Sequence, residues 1–160
     1  MAAKLVFIHG LESTSQGTKG QYFQQNFPGM IIEDYVGSFA ERMKKLSSLL
    51  NSKNDLILVG SSYGGLMAAQ FSVANESRII KLILLAPALN LPEFNLNTQK
   101  TLQTPVIIYH GINDNIVDPY IVKGIAQKAF RYMEHHLVDD DHSLHETFSN
   151  LDWKKILWAE

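Results

Sequence analysis

Hydrophobic and polar positions alternate along the chain in blocks, with short, almost wholly apolar runs separated by longer amphipathic stretches. Lys4–Ile8 is rich in strand formers and stops at His9-Gly10. Residues 18–27 place Tyr22, Phe23 and Phe27 at helical spacing, and Pro28-Gly29 ends that pattern. Residues 30–35 read as a second strand. An amphipathic helix is predicted over 38–50, with Phe39, Met43, Leu46, Leu49 and Leu50 on one side and Arg42, Lys44 and Lys45 outward. Residues 56–60 form the third predicted strand, 63–75 a helix and 79–86 the fourth strand. The stretch 87–104 is polar and loop-like. A fifth strand follows at 105–109, a helix at 119–132 and a weaker strand at 133–138, interrupted by His135 and His136. A helix carrying Trp153 and Trp158 closes the chain at 151–159.

Strands that are apolar on both faces and alternate with helices imply a parallel sheet covered on both sides, a three-layer α/β/α sandwich. Right-handed crossovers restrict its winding. Ligands in such sheets bind beyond the carboxyl ends of the strands. The ends to inspect are therefore His9-Gly10, Ser62, Ala86-Pro87, His110-Gly111 and residues 138–142, where polar and reactive residue types collect.

Composition changes this picture little but excludes several roles. A chain of 160 residues with no internal repeat or linker is expected to form one domain, 1–160. A net charge of −2 and no basic run argue against nucleic-acid or anionic-membrane partners. There is no cysteine, so disulfides and thiolate metal sites are excluded. The apolar run at residues 5–8 is too short for a signal peptide or a membrane span, and the default expectation is a cytoplasmic protein.

The chemistry centres on Gly60-Ser61-Ser62-Tyr63-Gly64-Gly65, between a predicted strand and a helix of small residues. Gly-x-Ser-x-Gly in this setting is the pattern of a nucleophile elbow, a turn so tight that its serine is strained and the flanking glycines leave room. The free N–H groups and the positive dipole end of the following helix suit an oxyanion. An ordinary glycine-rich strand–helix turn is the bland alternative.

A serine needs a base, and the base an orienting acid. His142, in the loop after the last strand, is the favoured base and His145 its rival. Of Asp114 and Asp118, Asp118 precedes Pro119 and reads as a helix N-cap. Asp114 has no evident local job and is assigned the acid role. Asp139, Asp140 and Asp141 read as a solvated turn, because adjacent side chains at a strand end do not converge on a metal. The oxyanion donors are expected to be the Tyr63 N–H and, from the loop after the first strand, the Leu11 N–H, with Gly10 permitting close approach and His9 shaping the loop. Residues 10–17 do not have the glycine spacing of a phosphate loop.

His9-Gly10, Gly60-Ser61-Ser62-Tyr63-Gly64-Gly65, His110-Gly111-x-x-Asp114-x-x-Val117 and Asp141-His142-Ser143, in that order, resemble the α/β-hydrolase family over nearly the whole chain. Within it, the Ser- and Lys-containing His-Gly loop and the Ser-Ser-x-Gly-Gly elbow are similar to those of the small YqiA-type esterases. The resemblance implies a six-stranded parallel sheet of order 2-1-3-4-5-6, without the cap domain that larger relatives insert between the fourth and fifth strands. It further implies a serine hydrolase of esters or thioesters with Ser62, His142 and Asp114 as triad, a small-molecule substrate, and no cofactor or metal. An aminopeptidase or amidase on the same triad is the alternative within enzymes, and a non-catalytic ligand-binding protein the alternative outside them.

Overall fold

A computed structural model of the chain describes residues 2–96 and 100–159. Six strands form one parallel sheet: β1 (Lys4–Ile8), β2 (Ile31–Ile32), β3 (Leu56–Ser61), β4 (Ile79–Leu85), β5 (Val106–Gly111) and β6 (Met133–Val138). Their order is β2-β1-β3-β4-β5-β6, as expected. Helices α1 (Thr18–Asn26), α2 (Phe39–Leu49), α3 (Tyr63–Asn75) and α4 (Pro119–Ala129) follow the first, second, third and fifth strands, and α5 (His145–Asn150) and α6 (Trp153–Trp158) follow the last.

The two-residue period of the strands divides the core between the two faces of the sheet. Val6, Ile8, Leu58, Leu82, Leu84 and Ile108 share one cluster with Leu46 of α2, Leu66 and Met67 of α3, and Val122 and Ala126 of α4. Leu5, Phe7, Ile57, Val59, Ile83 and Leu85 turn the other way, toward Phe23 of α1, Phe148 of α5, and Trp153 and Leu157 of α6. There the Phe23 ring lies 4.9 Å from that of Trp153, 5.1 Å from Phe7 and 5.4 Å from Phe148. The Trp153 Nε1–H donates to the Phe148 carbonyl at 3.1 Å, so the indole is buried with its polar end satisfied.

Local signals place most boundaries. Ser38 and Glu41 make a reciprocal capping box at the start of α2. The Asp118 side chain caps α4, whose first residue is Pro119. Three elements differ from the sequence reading. The second strand is only Ile31–Ile32, because the Tyr35 N–H leaves the ladder to donate to His9 Nε2 and Asp34 turns to accept the Ser15 N–H. The helix read over 119–132 ends at Ala129, since Phe130 is extended and bridges to Leu102. The closing helix read over 151–159 is the shorter α6, and ahead of it, across extended backbone at Leu151, stands α5, a helix that the sequence reading did not give.

Of the loop read over 87–104, residues 97–99 lie outside the described residues; the remainder contains no helix. Phe94 stacks on Phe130, and Gln70 and Asn95 exchange hydrogen bonds, which ties this stretch to α3 and to the end of α4. No helix of the described residues is long and apolar enough to cross a membrane.

Candidate active site

The turn from β3 into α3 puts Ser62 at φ 54° and ψ −112°, a backbone that side chains rarely adopt. Neighbours hold it there. Its N–H donates to the Leu85 carbonyl at 2.8 Å, and its carbonyl accepts the N–H groups of Gly65, Leu66 and Ala88 at 3.0–3.1 Å. A Cβ on Gly60 would overlap the Gly64 carbonyl oxygen, and one on Gly64 would overlap the Ile8 carbonyl oxygen. Both positions flanking the elbow therefore require glycine on steric grounds.

Ser62, His142 and Asp114, assembled from three separate loops, form one hydrogen-bonded chain. The Ser62 Oγ–H donates to His142 Nε2 at 3.0 Å, and the His142 Nδ1–H donates to Asp114 Oδ2 at 2.6 Å. The carboxylate accepts only through oxygen, so it selects the tautomer with Nδ1 protonated and leaves the Nε2 lone pair toward the serine. Asp114 is 7% exposed. Burial opposes its charge, but the Val117 N–H, the His142 side chain and the Ile116 N–H outweigh that and hold the carboxyl below the usual carboxylate range. The backbone donors reach Oδ1 at 2.8 and 2.9 Å.

Sequence reasoning passed over one group here. His110, at the end of β5, donates from Nε2 to Asp114 Oδ2 at 3.0 Å. A histidine four residues before an acid, at the end of a strand, was the available signal.

The remaining candidates fall elsewhere. Asp118 accepts the Tyr120 and Ile121 N–H groups at the start of α4. His145 is the first residue of α5 rather than a loop residue, and it makes no hydrogen bond to Ser62. His9 is buried and ties the first loop to the segment after β2: Nδ1–H donates to the Gly10 carbonyl at 2.7 Å, and Nε2 accepts the Tyr35 N–H at 2.9 Å. Asp139, Asp140 and Asp141 diverge, accepting from Asn113 Nδ2, from Thr147 N–H and Oγ–H, and from Ser143 N–H and Oγ–H respectively. Asp140 thus anchors the first turn of α5 instead of lying in a purely solvated turn. Of the strand pair, His135 packs inward, and His136 stacks on Tyr109 with its side chain 40% exposed.

Ser62 and His142 open onto a cleft of about 600 Å³. Leu11, Leu91, Ile116 and Val117 supply apolar wall, and Lys19 and Asn90 supply polar wall. Leu11 and Tyr63 line the same cleft, and no loop, turn or cap hydrogen bond among the described residues uses either N–H. Lys19 reaches from α1 to donate to the Ser143 carbonyl at 2.7 Å, bracing the loop that carries His142. Among the described residues, no group of three His, Cys, Asp or Glu side chains is placed to hold a metal.

No family model matches the chain. Over 95 residues, 58% of its length, it is 27% identical to the homoserine O-succinyltransferase of Pseudomonas syringae pv. tomato, and the match covers 24% of that protein. The chain thus spans about a quarter of the length of the curated relatives it matches. Among solved structures it is similar to Est1E from Butyrivibrio proteoclasticus, with a TM-score of 0.75 at 16% identity, covering 99% of this chain and 89% of that one. Mouse alpha/beta hydrolase domain-containing protein 10 gives 0.74 at 21% identity, covering 90% and 84%. The esterase RhEst1 from Rhodococcus sp. ECU1013 gives 0.72 at 13%, covering 99% and 91%. With the sheet order, the elbow and these likenesses together, the chain has the α/β-hydrolase fold.

Proposed function

We propose that the chain is a serine hydrolase that cleaves small carboxylic esters or thioesters through an acyl-enzyme intermediate. The observation that carries this reading is the hydrogen-bonded chain from Ser62 through His142 to the buried Asp114, at the mouth of a cleft beyond the sheet's carboxyl edge. In the first step the Ser62 Oγ attacks the acyl carbon as its proton passes to His142 Nε2. The carbonyl oxygen becomes an oxyanion held by the Leu11 and Tyr63 N–H groups; such a donor is worth roughly 10²–10³ in turnover where one has been removed. The C–O or C–S bond then breaks, and His142 hands its proton to the departing alcohol or thiol. Water, activated by the same imidazole, releases the acid and restores Ser62. Asp114 remains a carboxylate throughout and steadies the imidazolium.

Leu11, Leu91, Ile116 and Val117 supply the apolar wall of this cleft of about 600 Å³, and each added methylene contributes about 0.8 kcal/mol only while it is covered. Short acyl groups are the expected substrates. Labelling by a fluorophosphonate probe, lost in Ser62→Ala, tests the nucleophile. A series of p-nitrophenyl esters from acetyl to palmitoyl tests the substrate class: kcat/KM should level off by about eight carbons, and a steady rise beyond that would reject the short-chain reading.

The partial likeness to a homoserine O-succinyltransferase favours a second reading, in which an alcohol rather than water accepts the acyl group. Formation of a new ester when a hydroxyl acceptor is added to the assay would support it.

A further inference from the structure

Oδ2 of Asp114 accepts two imidazole N–H groups, one from His142 at 2.6 Å and one from His110 at 3.0 Å. We infer that His110 is a positioning residue for the reaction, its Nε2–H holding Asp114 Oδ2 where the His142 Nδ1–H meets it and drawing charge from that oxygen. The inference rests on the reading of Ser62, His142 and Asp114 as the reacting groups, and it deepens that reading.

The tautomer follows from the partners. Nε2 of His110 faces Asp114 Oδ2 and, at 3.1 Å, the Val117 carbonyl; both are acceptors, so the proton is on Nε2. Nδ1 is buried with no hydrogen-bond partner among the described residues, which suits a bare lone pair better than a second N–H. The side chain has no exposed surface. Burial pushes its pKa down against the pull of Asp114, so a neutral ring donates to a charged one.

Its surroundings keep it neutral. The β5–β6 register pairs Ile108 with His135 and His110 with Leu137, which puts His135 diagonally beside His110 on one sheet face. His135 is itself pushed down to about 4, first by burial and then by Lys123 of α4, His110 and His136. Asp114 and His142 are the titratable groups that face His110 from the loops. A proton on His110 would therefore meet one carboxylate already shared with His142, with a histidine on either side.

A packing role alone would not need the N–H on that oxygen. Two donors on one carboxylate oxygen spread its charge, and the imidazolium of His142 is then held less tightly. Removing the second donor leaves a more basic oxygen, so His142 should keep its proton to higher pH while its acid partner is less firmly placed.

The test compares the full chain with His110→Leu, which removes the N–H, and His110→Gln, whose amide places an N–H near the position of Nε2. The readouts are the His142 titration by ¹⁵N-imidazole NMR, which needs no substrate, and the pH profile of kcat and KM on p-nitrophenyl acetate. In His110→Leu the His142 midpoint should rise by about half a pH unit or more. Its kcat should fall by about tenfold with KM nearly unchanged, and His110→Gln should recover most of both effects. An unmoved midpoint in a folded His110→Leu, or equal losses in both variants, overturns the assignment. Should His110→Leu fail to fold, the wild-type spectrum decides: a protonated Nε2 with a bare Nδ1 on His110 is required, and the opposite tautomer rejects it. Absence of turnover in the wild type would count against the proposed function, whereas the NMR midpoint tests His110 independently.

Discussion

Asp114 and Asp118 use one oxygen each in the same way: Oδ1 of either residue accepts the N–H groups two and three positions further along, Ile116 and Val117 in one case, Tyr120 and Ile121 in the other. Only Asp118 caps a helix, but the local hydrogen bonding of Oδ1 belongs to both. What separates them is the second oxygen. Oδ2 of Asp114 points into the protein and accepts from His142 and His110, whereas the hydrogen bonds of the Asp118 side chain among the described residues go to Oδ1 alone.

Replacing each aspartate by asparagine should split them. In Asp114→Asn an amide N–H can face His142 and the tautomer support inverts, so kcat should fall by about 10⁴, the loss seen when a serine protease suffers the same change. Asp118→Asn should leave turnover and stability nearly unchanged, since Asn caps a helix about as well as Asp. Steady-state kinetics beside urea unfolding checks both, and the reverse ranking would move the acid role to Asp118.

The elbow stores strain at Ser62, whose φ of 54° is unfavourable for any side chain. Ser62→Ala should abolish ester turnover and remain folded, while Ser61→Ala keeps most activity. Ser62→Gly should be more stable than Ser62→Ala by about 1 kcal/mol, because glycine adopts this backbone without the steric cost. Urea midpoints of the two inactive variants give the difference directly.

On the proposed mechanism the imidazole of His142 accepts the serine proton only when neutral, so kcat/KM should rise with pH. His142→Ala should remove the activity. His145→Ala should preserve both the activity and the shape of the profile, since His145 starts α5 and does not reach Ser62. Activity retained in His142→Ala would make His145 the base.

His135 supplies an acid-sensitive element away from the nucleophile. Its ordinary pKa of 6.5 is pushed down to about 4 by burial, with Lys123 adding to the effect. Between those values the unfolded chain binds a proton that the native state does not, so stability falls as pH drops through this window. His110 shifts in the same direction, whereas the lowered carboxyls of Asp114 and Asp140 act only below their ordinary 3.8. His135→Leu should reduce the loss of unfolding free energy between about pH 7 and pH 4.5 by on the order of 1–2 kcal/mol. Urea titrations at the two pH values measure it; an unchanged difference would show that His135 is not protonated on unfolding in this range.

By itself the sequence determined the order of elements, the parallel sheet and the place of the elbow. Each of these is written in near-neighbour chemistry: apolar runs such as Lys4–Ile8, a capping box at Ser38 and Glu41, and glycines at 60 and 64 where a Cβ has no room. The family resemblance added the sheet order, which periodicity does not contain. Tertiary structure decided what depends on groups distant along the chain. The second strand is short because His9, from another loop, captures the Tyr35 N–H. His142 rather than His145 meets Ser62 because Asp140 and Lys19 fix the backbone on either side of it. Asp114 was preferred over Asp118 in the sequence for an incomplete reason, since no local pattern reveals which oxygen of Asp114 turns inward to His142. His110 escaped notice on the same ground: its hydrogen bond to Asp114 arises only when β5 runs into the loop that turns Asp114 inward and brings carboxylate and imidazoles together.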